Sequence, residues 1–405
     1  ETELSILSDK TISIVGTNGK SSTANNIAML LGGLDKSYIA FTSPHLYDYK
    51  ERITAHKDLN LNQYIEYLEN FELENNIILG YFESTFLIAA KAFLHNDFDY
   101  FICEAGIGGK YDTTSIIQSK TVVLTSIGLD HTDILGNKIT DILDQKINVS
   151  NNIETLFVSV LNEDLIEIIK SEYTNYSKSI FLSEYLNSKN ISFSKLIFKD
   201  LNYYLSLMVV DLLLQDIKYA DLTNIKIKEA KGRFEIINDS PVKIIDGAHN
   251  YEGVEILLRN YENKYGNLNT DIFFGFKKGK DINNILNLII GKTNYNLHLI
   301  EDDTFYDQEI TKEIGYLLDK QNFIEFDGNS LFIDGEGDTD LGWPLLSELR
   351  ALRCILPENI ISQINKTTGP YSKLWFDYFD YGKKSYEVSW RYSSSRGLDI
   401  LIKER

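Results

Sequence analysis

The sequence predicts an α/β fold: a larger doubly wound sheet domain over 1–222, a smaller α/β domain over 223–330 and a separate appendage over 331–405. Three observations carry this. Residues 11–22, TISIVGTNGKSS, read as a β-branched strand, a glycine turn and the opening of a helix. Apolar strand segments then alternate with helical ones as far as Val160. Near Lys231 the same alternation starts again on a smaller scale. Strand–helix alternation gives a mostly parallel sheet with helices on both faces.

Thr11–Val15 is the first strand, and the helix that follows runs from Ser21 to Leu31, where Gly32–Gly33 stops it. Ser37–Thr42, Phe98–Cys103, Thr121–Ile127 and Leu156–Val160 are further strands. Leu61–Asn76, Glu83–His95 and Ile139–Val149 are helices, and Leu201–Leu214 is a strongly apolar one. In the smaller domain, strands are expected at Arg233–Asn238, Val242–Asp246, Asp271–Phe276, Asn296–Ile300 and Phe323–Phe326. Helices are expected at Tyr251–Tyr261, Asp281–Ile290 and Gln308–Leu318. The appendage holds all three tryptophans (Trp343, Trp375, Trp390) and none of the six histidines. Its runs Tyr371–Tyr381 and Tyr386–Tyr392 look like aromatic β-hairpin material, with no visible chemistry.

At 405 residues the chain can hold two or three cores. Apolar content of 43% with 24% charged residues reads as a folded soluble chain. No apolar run reaches membrane-spanning length, and no signal peptide is visible. A net charge of −19 argues against wrapping a nucleic acid, though a local cleft of lysines and Mg²⁺ can still take anionic small molecules. Two cysteines form no disulfide framework, so a cytoplasmic location fits best. The chain opens on Glu, as a trimmed one would.

Gly16-x-x-Gly19-Lys20-Ser21 is a short variant of a phosphate-binding loop, with Ile14 where the strict pattern has glycine. The glycines let backbone N–H groups approach an anion, Lys20 supplies a point charge, and Ser21 or Ser22 can ligate Mg²⁺. Read alone, the string is equally an ordinary strand-to-helix turn. Four more polar or glycine-rich clusters each follow a strand: Thr42-Ser-Pro-His45 with Glu51-Arg-Ile53, Glu104-Ala-Gly-Ile-Gly-Gly109, Thr125-Ser-Ile-Gly-Leu-Asp-His-Thr132, and Asp246-Gly-Ala-His-Asn250. Strand ends are where a doubly wound sheet holds its ligands. Each also has a plain structural reading: a turn, a capping carboxylate or a loop histidine.

Together with Tyr81-Phe-Glu83 and Gly232-Arg-Phe-Glu235, these strings resemble the folylpolyglutamate synthase/dihydrofolate synthase family, within the wider Mur-ligase-like ATP-dependent amide ligases, over residues 11 to about 330. The resemblance implies a P-loop domain like the Mur-ligase central domain over 1–222 and a Rossmann-like ligase domain over 223–330. It implies an enzyme that uses ATP to activate the carboxylate of a dihydropteroate or folate as an acyl phosphate, which the amine of L-glutamate then attacks.

By the same resemblance, Asn18, Gly19, Lys20, Ser21 and Ser22 hold the phosphates, Asn202 lies on the adenine side, and Arg233 and Asp246 contact the nucleotide. Ser43, Glu104 and His131 hold a Mg²⁺ ion. Lys146 corresponds to a lysine that is carbamylated and bridges to a second Mg²⁺, and His249 lies near the transferred phosphoryl, so that Lys20, Lys146 and His249 are the catalytic set. Phe82, Glu83, Asp112 and Thr113 match positions that cradle the pterin. The chain departs from the family pattern at Lys110–Ser115, at Ile147-Asn148 and at Tyr251, and only ten residues precede the first strand. A monomer acting on small molecules, without nucleic acid or membrane, is the expected form. A Mur-type amino-acid ligase and an inactive nucleotide-binding relative are the competing readings.

Overall fold

The computed structural model describes residues 2–45, 48–160, 162–174, 176–192, 198–275, 282–290, 295–301, 316–319, 330–334, 375–381, 384–393 and 397–404. The chain divides into two compact units, Glu1–Lys231 and Gly232–Arg405.

In the first unit, α1 (Glu3–Lys10) leads into β1 (Thr11–Val15), followed by α2 (Lys20–Gly33), β2 (Tyr38–Phe41), β3 (Ile53–Ala55), α3 (Asn62–Asn75), α4 (Tyr81–His95) and β4 (Tyr100–Glu104). Then come β5 (Thr121–Leu124), α5 (Thr132–Leu135), α6 (Ile139–Ile147), β6 (Thr155–Val158), α7 (Glu163–Glu172), β7 (Lys178–Phe181), α8 (Leu182–Ser188), α9 (Phe198–Leu213) and α10 (Tyr219–Thr223). The seven strands form one sheet in the order β3-β2-β4-β1-β5-β6-β7. All neighbours are parallel except β2 and β3.

Helices cover both faces, which is why β1 is buried along its whole length, Thr11 and Ser13 included. Ile12 and Ile14 pack with Ile27 and Leu31 of α2 and with Leu205 and Val209 of α9. Val15 faces the other way, onto Leu143 and Ile147 of α6. The carboxyl ends of β1, β2, β4 and β5 therefore share one rim of the sheet.

The second unit holds β8 (Glu235–Asp239), β9 (Val242–Asp246), α11 (Tyr251–Tyr265), β10 (Thr270–Gly275), α12 (Ile282–Ile290), β11 (Tyr295–Glu301), β12 (Tyr316–Asp319) and β13 (Ser330–Asp334). Its sheet runs β12-β11-β10-β13-β9-β8, with only β8 antiparallel to its neighbour. Val254, Leu257 and Tyr261 of α11 and Ile285 and Ile289 of α12 close the core over Ile244, Ile272 and Phe273. A three-stranded antiparallel sheet follows, made of β14 (Trp375–Tyr381), β15 (Lys384–Ser393) and β16 (Gly397–Glu404), with Trp375 opposite Trp390.

Two expectations change. Tyr316–Asp319 is a strand paired with β11, where the helix Gln308–Leu318 was expected to end. A short apolar run such as Tyr-Leu-Leu fits either state, and pairing at a sheet edge decides it. Ser330–Asp334 pairs with both β10 and β9, so the second sheet extends into the segment read as appendage. Residues 308–315, the strand expected at Phe323–Phe326, and Trp343 lie outside the described residues. Among the described residues no helix is long and apolar enough to cross a membrane.

Candidate nucleotide and metal site

The bend after β1 has the geometry its glycines permit. Gly16 has φ +152° and Gly19 has φ +87°. A Cβ on Gly16 would collide with Thr125 Oγ1, and one on Gly19 with the Asn202 carboxamide. Gly19 caps α2, whose first-turn N–H groups have no acceptor within the helix and whose dipole favours an anion there. Lys20, the first residue of α2, folds back so that Nζ donates to Gly16 O (3.1 Å) and Thr17 O (3.2 Å). Ser22 follows in the same turn.

The segment after β5 braces this bend. Asn18 N donates to Ser126 Oγ (2.9 Å), and Asn18 O accepts from Thr125 Oγ1 (2.8 Å) and Ser126 Oγ (3.0 Å). Thr17 N donates to Ser126 O (2.8 Å), and the Thr17 hydroxyl is locked between Gly128 N and Gly128 O. Thr125, Ser126 and Gly128 thus shape the loop, a role the sequence reading did not assign. Asn202 is buried in α9, against Gly19.

Glu104 ends β4 only 1% exposed. Its Oε1 accepts from Ser21 Oγ (2.9 Å), and its Oε2 accepts from Ser43 N (3.0 Å). Ser21 Oγ also lies 3.3 Å from Ser43 O. Ser21, Ser43 and Glu104 therefore meet, bringing the loop helix, β2 and β4 together at one corner. A buried anionic carboxylate among hydroxyl and carbonyl oxygens is a donor set suited to a hard cation such as Mg²⁺. His131 sits at φ +48°, ahead of α5, with Nε2 3.8 Å from Asp130 Oδ2. Lys146, on α6 and 3% exposed, donates from Nζ to Gly16 O at 2.8 Å. Both lysines thus converge on one loop carbonyl.

The pterin-matching residues also gather. Asp112 Oδ2 accepts from Gly106 N (3.0 Å) and Ile107 N (3.1 Å), while Oδ1 accepts from Thr114 N (2.9 Å) and Thr114 Oγ1 (2.6 Å). Burial raises the Asp112 pKa, opposed by those same hydrogen bonds. Thr113 Oγ1 reaches Glu83 Oε1 (3.3 Å), and the Phe82 ring lies over Gly106. Asp112 organises its own loop, and Phe82, Glu83 and Thr113 stand around that loop.

The turn after β2 carries a further cluster. Arg52 Nε donates to His45 Nδ1 (2.9 Å), and both side chains lie against the Tyr81 ring. Burial, and then the Arg52 charge, lower the His45 pKa from 6.5 to about 3. The folded state thus holds His45 neutral, so its contribution to stability is full above pH 6.5 and is lost as pH falls toward about 3. The expected result is a one-proton uptake on unfolding in that window, absent in His45→Gln. Equilibrium unfolding across pH measures it, and identical slopes for the two proteins would exclude it.

In the second unit, Asp246 at the end of β9 accepts from Phe234 N (2.6 Å) and Ala248 N (2.8 Å). Gly232 N donates to Glu235 Oε2 (2.9 Å), and Gly247 N to Gly232 O (2.9 Å), so the loop bearing Arg233 is tied down on both sides. Burial raises the Asp246 pKa, and Arg233 opposes it. His249 Nδ1 lies 3.1 Å from Gly247 O, and since a carbonyl oxygen only accepts, Nδ1 carries the proton of that contact. Asn250 caps α11 through Gly253 N (2.8 Å).

A strand, a glycine bend gripping a lysine, and a carboxylate–hydroxyl corner at the neighbouring strand tips are what an ATP-dependent ligase needs to hold a nucleotide's phosphates and their cation. The Mur ligase middle domain family matches residues 14–238, and the chain belongs to that family. Among similar proteins, a dihydrofolate synthase/folylpolyglutamate synthase of Bacillus subtilis is 26% identical over 310 residues, 67% of this chain and 72% of that one. Its counterpart in Buchnera aphidicola subsp. Acyrthosiphon pisum is 28% identical over 308 residues, 70% of this chain and 72% of that one. The solved structure of a bifunctional folylpolyglutamate synthase/dihydrofolate synthase from Yersinia pestis, complexed with AMPPNP and Mn ion, superposes with a TM-score of 0.69. That match covers 87% of this chain and 92% of that one at 20% identity, a likeness of fold.

Proposed function

We propose that this chain is an ATP-dependent ligase that joins L-glutamate to the carboxylate of a dihydropteroate or folate, as a dihydrofolate synthase, a folylpolyglutamate synthase or both. The observation that carries the reading is the Lys20-gripping bend set beside the Glu104–Ser21–Ser43 corner. The named relatives support the choice of substrates. The enzyme works on small molecules, as a cytoplasmic monomer.

A carboxylate is a poor electrophile, and transfer of the ATP γ-phosphoryl to it supplies a leaving group. The glutamate amine attacks the acyl carbon, loses a proton, and inorganic phosphate departs. Lys20 and the first-turn N–H groups of α2 hold the phosphates where negative charge builds. Ser43 and Glu104, with His131, would hold Mg²⁺, which when bound offsets phosphate charge. By the family resemblance, Asn202 would lie on the adenine side, Arg233 and Asp246 would contact the nucleotide, and His249 would lie near the transferring phosphoryl. Phe82, Glu83, Asp112 and Thr113 shape the pterin pocket.

Lys146 is carbamylated in the working enzyme. A carbamate keeps one N–H, enough to retain the bond to Gly16 O, and it converts a buried cation into an anion able to hold a second Mg²⁺. Intact-mass measurement in bicarbonate should show a gain of one CO₂ that Lys146→Arg lacks; equal masses would rule the modification out.

Phosphate release is expected with ATP, Mg²⁺, glutamate and either dihydropteroate or tetrahydrofolate, and not with ATP alone. Comparing the two acceptors separates the two synthase activities. Release that ignores both acceptors would overturn the assignment.

A further inference from the structure

The Thr42–His45 turn carries Ser43, and something must hold it against the carboxylate of Glu104. Thr42 N donates to Arg52 O (2.8 Å), which ties the start of the turn to the arm entering β3. Arg52 Nε donates to His45 Nδ1 (2.9 Å), which ties its end. Between those two ties, Ser43 N meets Glu104 Oε2 (3.0 Å) and Ser43 O faces Ser21 Oγ (3.3 Å). The guanidinium carbon lies 4.9 Å from the centre of the Tyr81 ring, and the His45 ring stacks on that ring at 5.7 Å and 29°. Arg52 is 7% exposed.

We propose that Arg52 is a positioning residue for the metal-holding Ser43–Glu104 corner, acting through His45 and braced by the face of Tyr81. Burying a guanidinium has a free-energy cost, so this arrangement is a way of fixing geometry rather than the cheapest way of filling space. Arginine suits the task because its planar group can donate in-plane from Nε while presenting its face to an aromatic ring. A lysine ammonium on its flexible stem cannot do both. His45 must accept at Nδ1, so its own proton resides on Nε2. The effect of Arg52 is to set where the Ser43 backbone and hydroxyl stand.

The inference rests on the assignment of Ser43 and Glu104 to a divalent cation. The test is Mn²⁺ binding to the full chain with AMPPNP present, followed by electron paramagnetic resonance, alongside AMPPNP binding without metal and thermal unfolding. Arg52→Lys and His45→Ala should each weaken Mn²⁺ binding about 10-fold or more, the usual scale for losing a group that orients a ligand. Metal-free AMPPNP binding should stay within about twofold. His45→Gln, whose amide oxygen can still accept from Nε, should recover most of the loss. The Arg52→Lys/His45→Ala pair should be no worse than either single change, because both remove the same tie.

Wild-type Mn²⁺ affinity in folded Arg52→Lys and in His45→Ala, with Glu104→Gln weakened, would overturn the role of Arg52 and leave the metal assignment standing. Wild-type affinity in Glu104→Gln would overturn the metal assignment itself. If Arg52→Lys fails to fold, the contrast between His45→Ala and His45→Gln decides: equal affinities overturn the proposal.

Discussion

Lys20→Ala is expected to lower kcat/KM for ligation on the order of 10³-fold, about 4 kcal/mol of transition-state stabilisation, with the fold intact. In the proposed mechanism the ammonium offsets the charge that develops on the transferring phosphoryl. The fold should tolerate its loss. Gly16 O accepts from Lys20 Nζ at 3.1 Å but also from Lys146 Nζ at 2.8 Å, so that carbonyl keeps a donor in the variant. The Thr17 carbonyl loses its Lys20 contact in a residue only 4% exposed, a cost of about 1–3 kcal/mol that lowers the melting temperature without unfolding the chain. Acceptor-dependent phosphate release together with a melting curve measures both halves. A folded variant that turns over within about threefold of wild type would remove Lys20 from the phosphate site.

Gly19→Ala should damage the same bend by another route. The residue holds φ +87°, a region that costs a side chain about 1–2 kcal/mol. The added methyl also lands on the Asn202 carboxamide. The loop must shift, which re-aims the first-turn N–H groups of α2, and activity is expected to fall on the order of 10²-fold. The melting temperature should drop by several degrees, at about 2–4 °C per kcal/mol for a unit of this size. Adding Asn202→Ala removes the collision but not the left-handed backbone. Stability should then return in part while activity stays low. A single variant with unchanged melting and turnover would show that neither the strain nor the collision exists.

Five of the seven strands of the first unit, β1, β2, β4, β5 and β6, were legible because strands covered on both faces are rich in β-branched and aromatic residues, whereas the short edge strands β3 and β7 were not read. Thr11–Val15 and Phe98–Cys103 stand out for that reason, and the polar clusters directly after them mark the rim of the sheet. Tyr316–Asp319 was harder to read, since three apolar residues carry no period and only the neighbouring strand settles their state. Ser330–Asp334 was placed outside the second sheet because nothing local tells a run of apolar residues which strands it will separate.

Residue types at strand ends made Lys20, Ser43, Glu104, Asp246 and His249 candidates, each with a plain structural reading beside it, and the family resemblance chose between the two. That information is local: a glycine bend needs glycines, and an anion site needs N–H groups and a cation. Which groups share a hydrogen bond is set by chain reversals dozens of residues apart. Glu104 reaching both Ser21 and Ser43, Lys146 reaching Gly16, Thr125 and Ser126 bracing Asn18, and Arg52 gripping His45 over Tyr81 were decided only when the sheet stacked its strand tips along one rim. Sequence sets the chemistry each segment can offer; packing free energy, summed over the whole core, decides which segments meet.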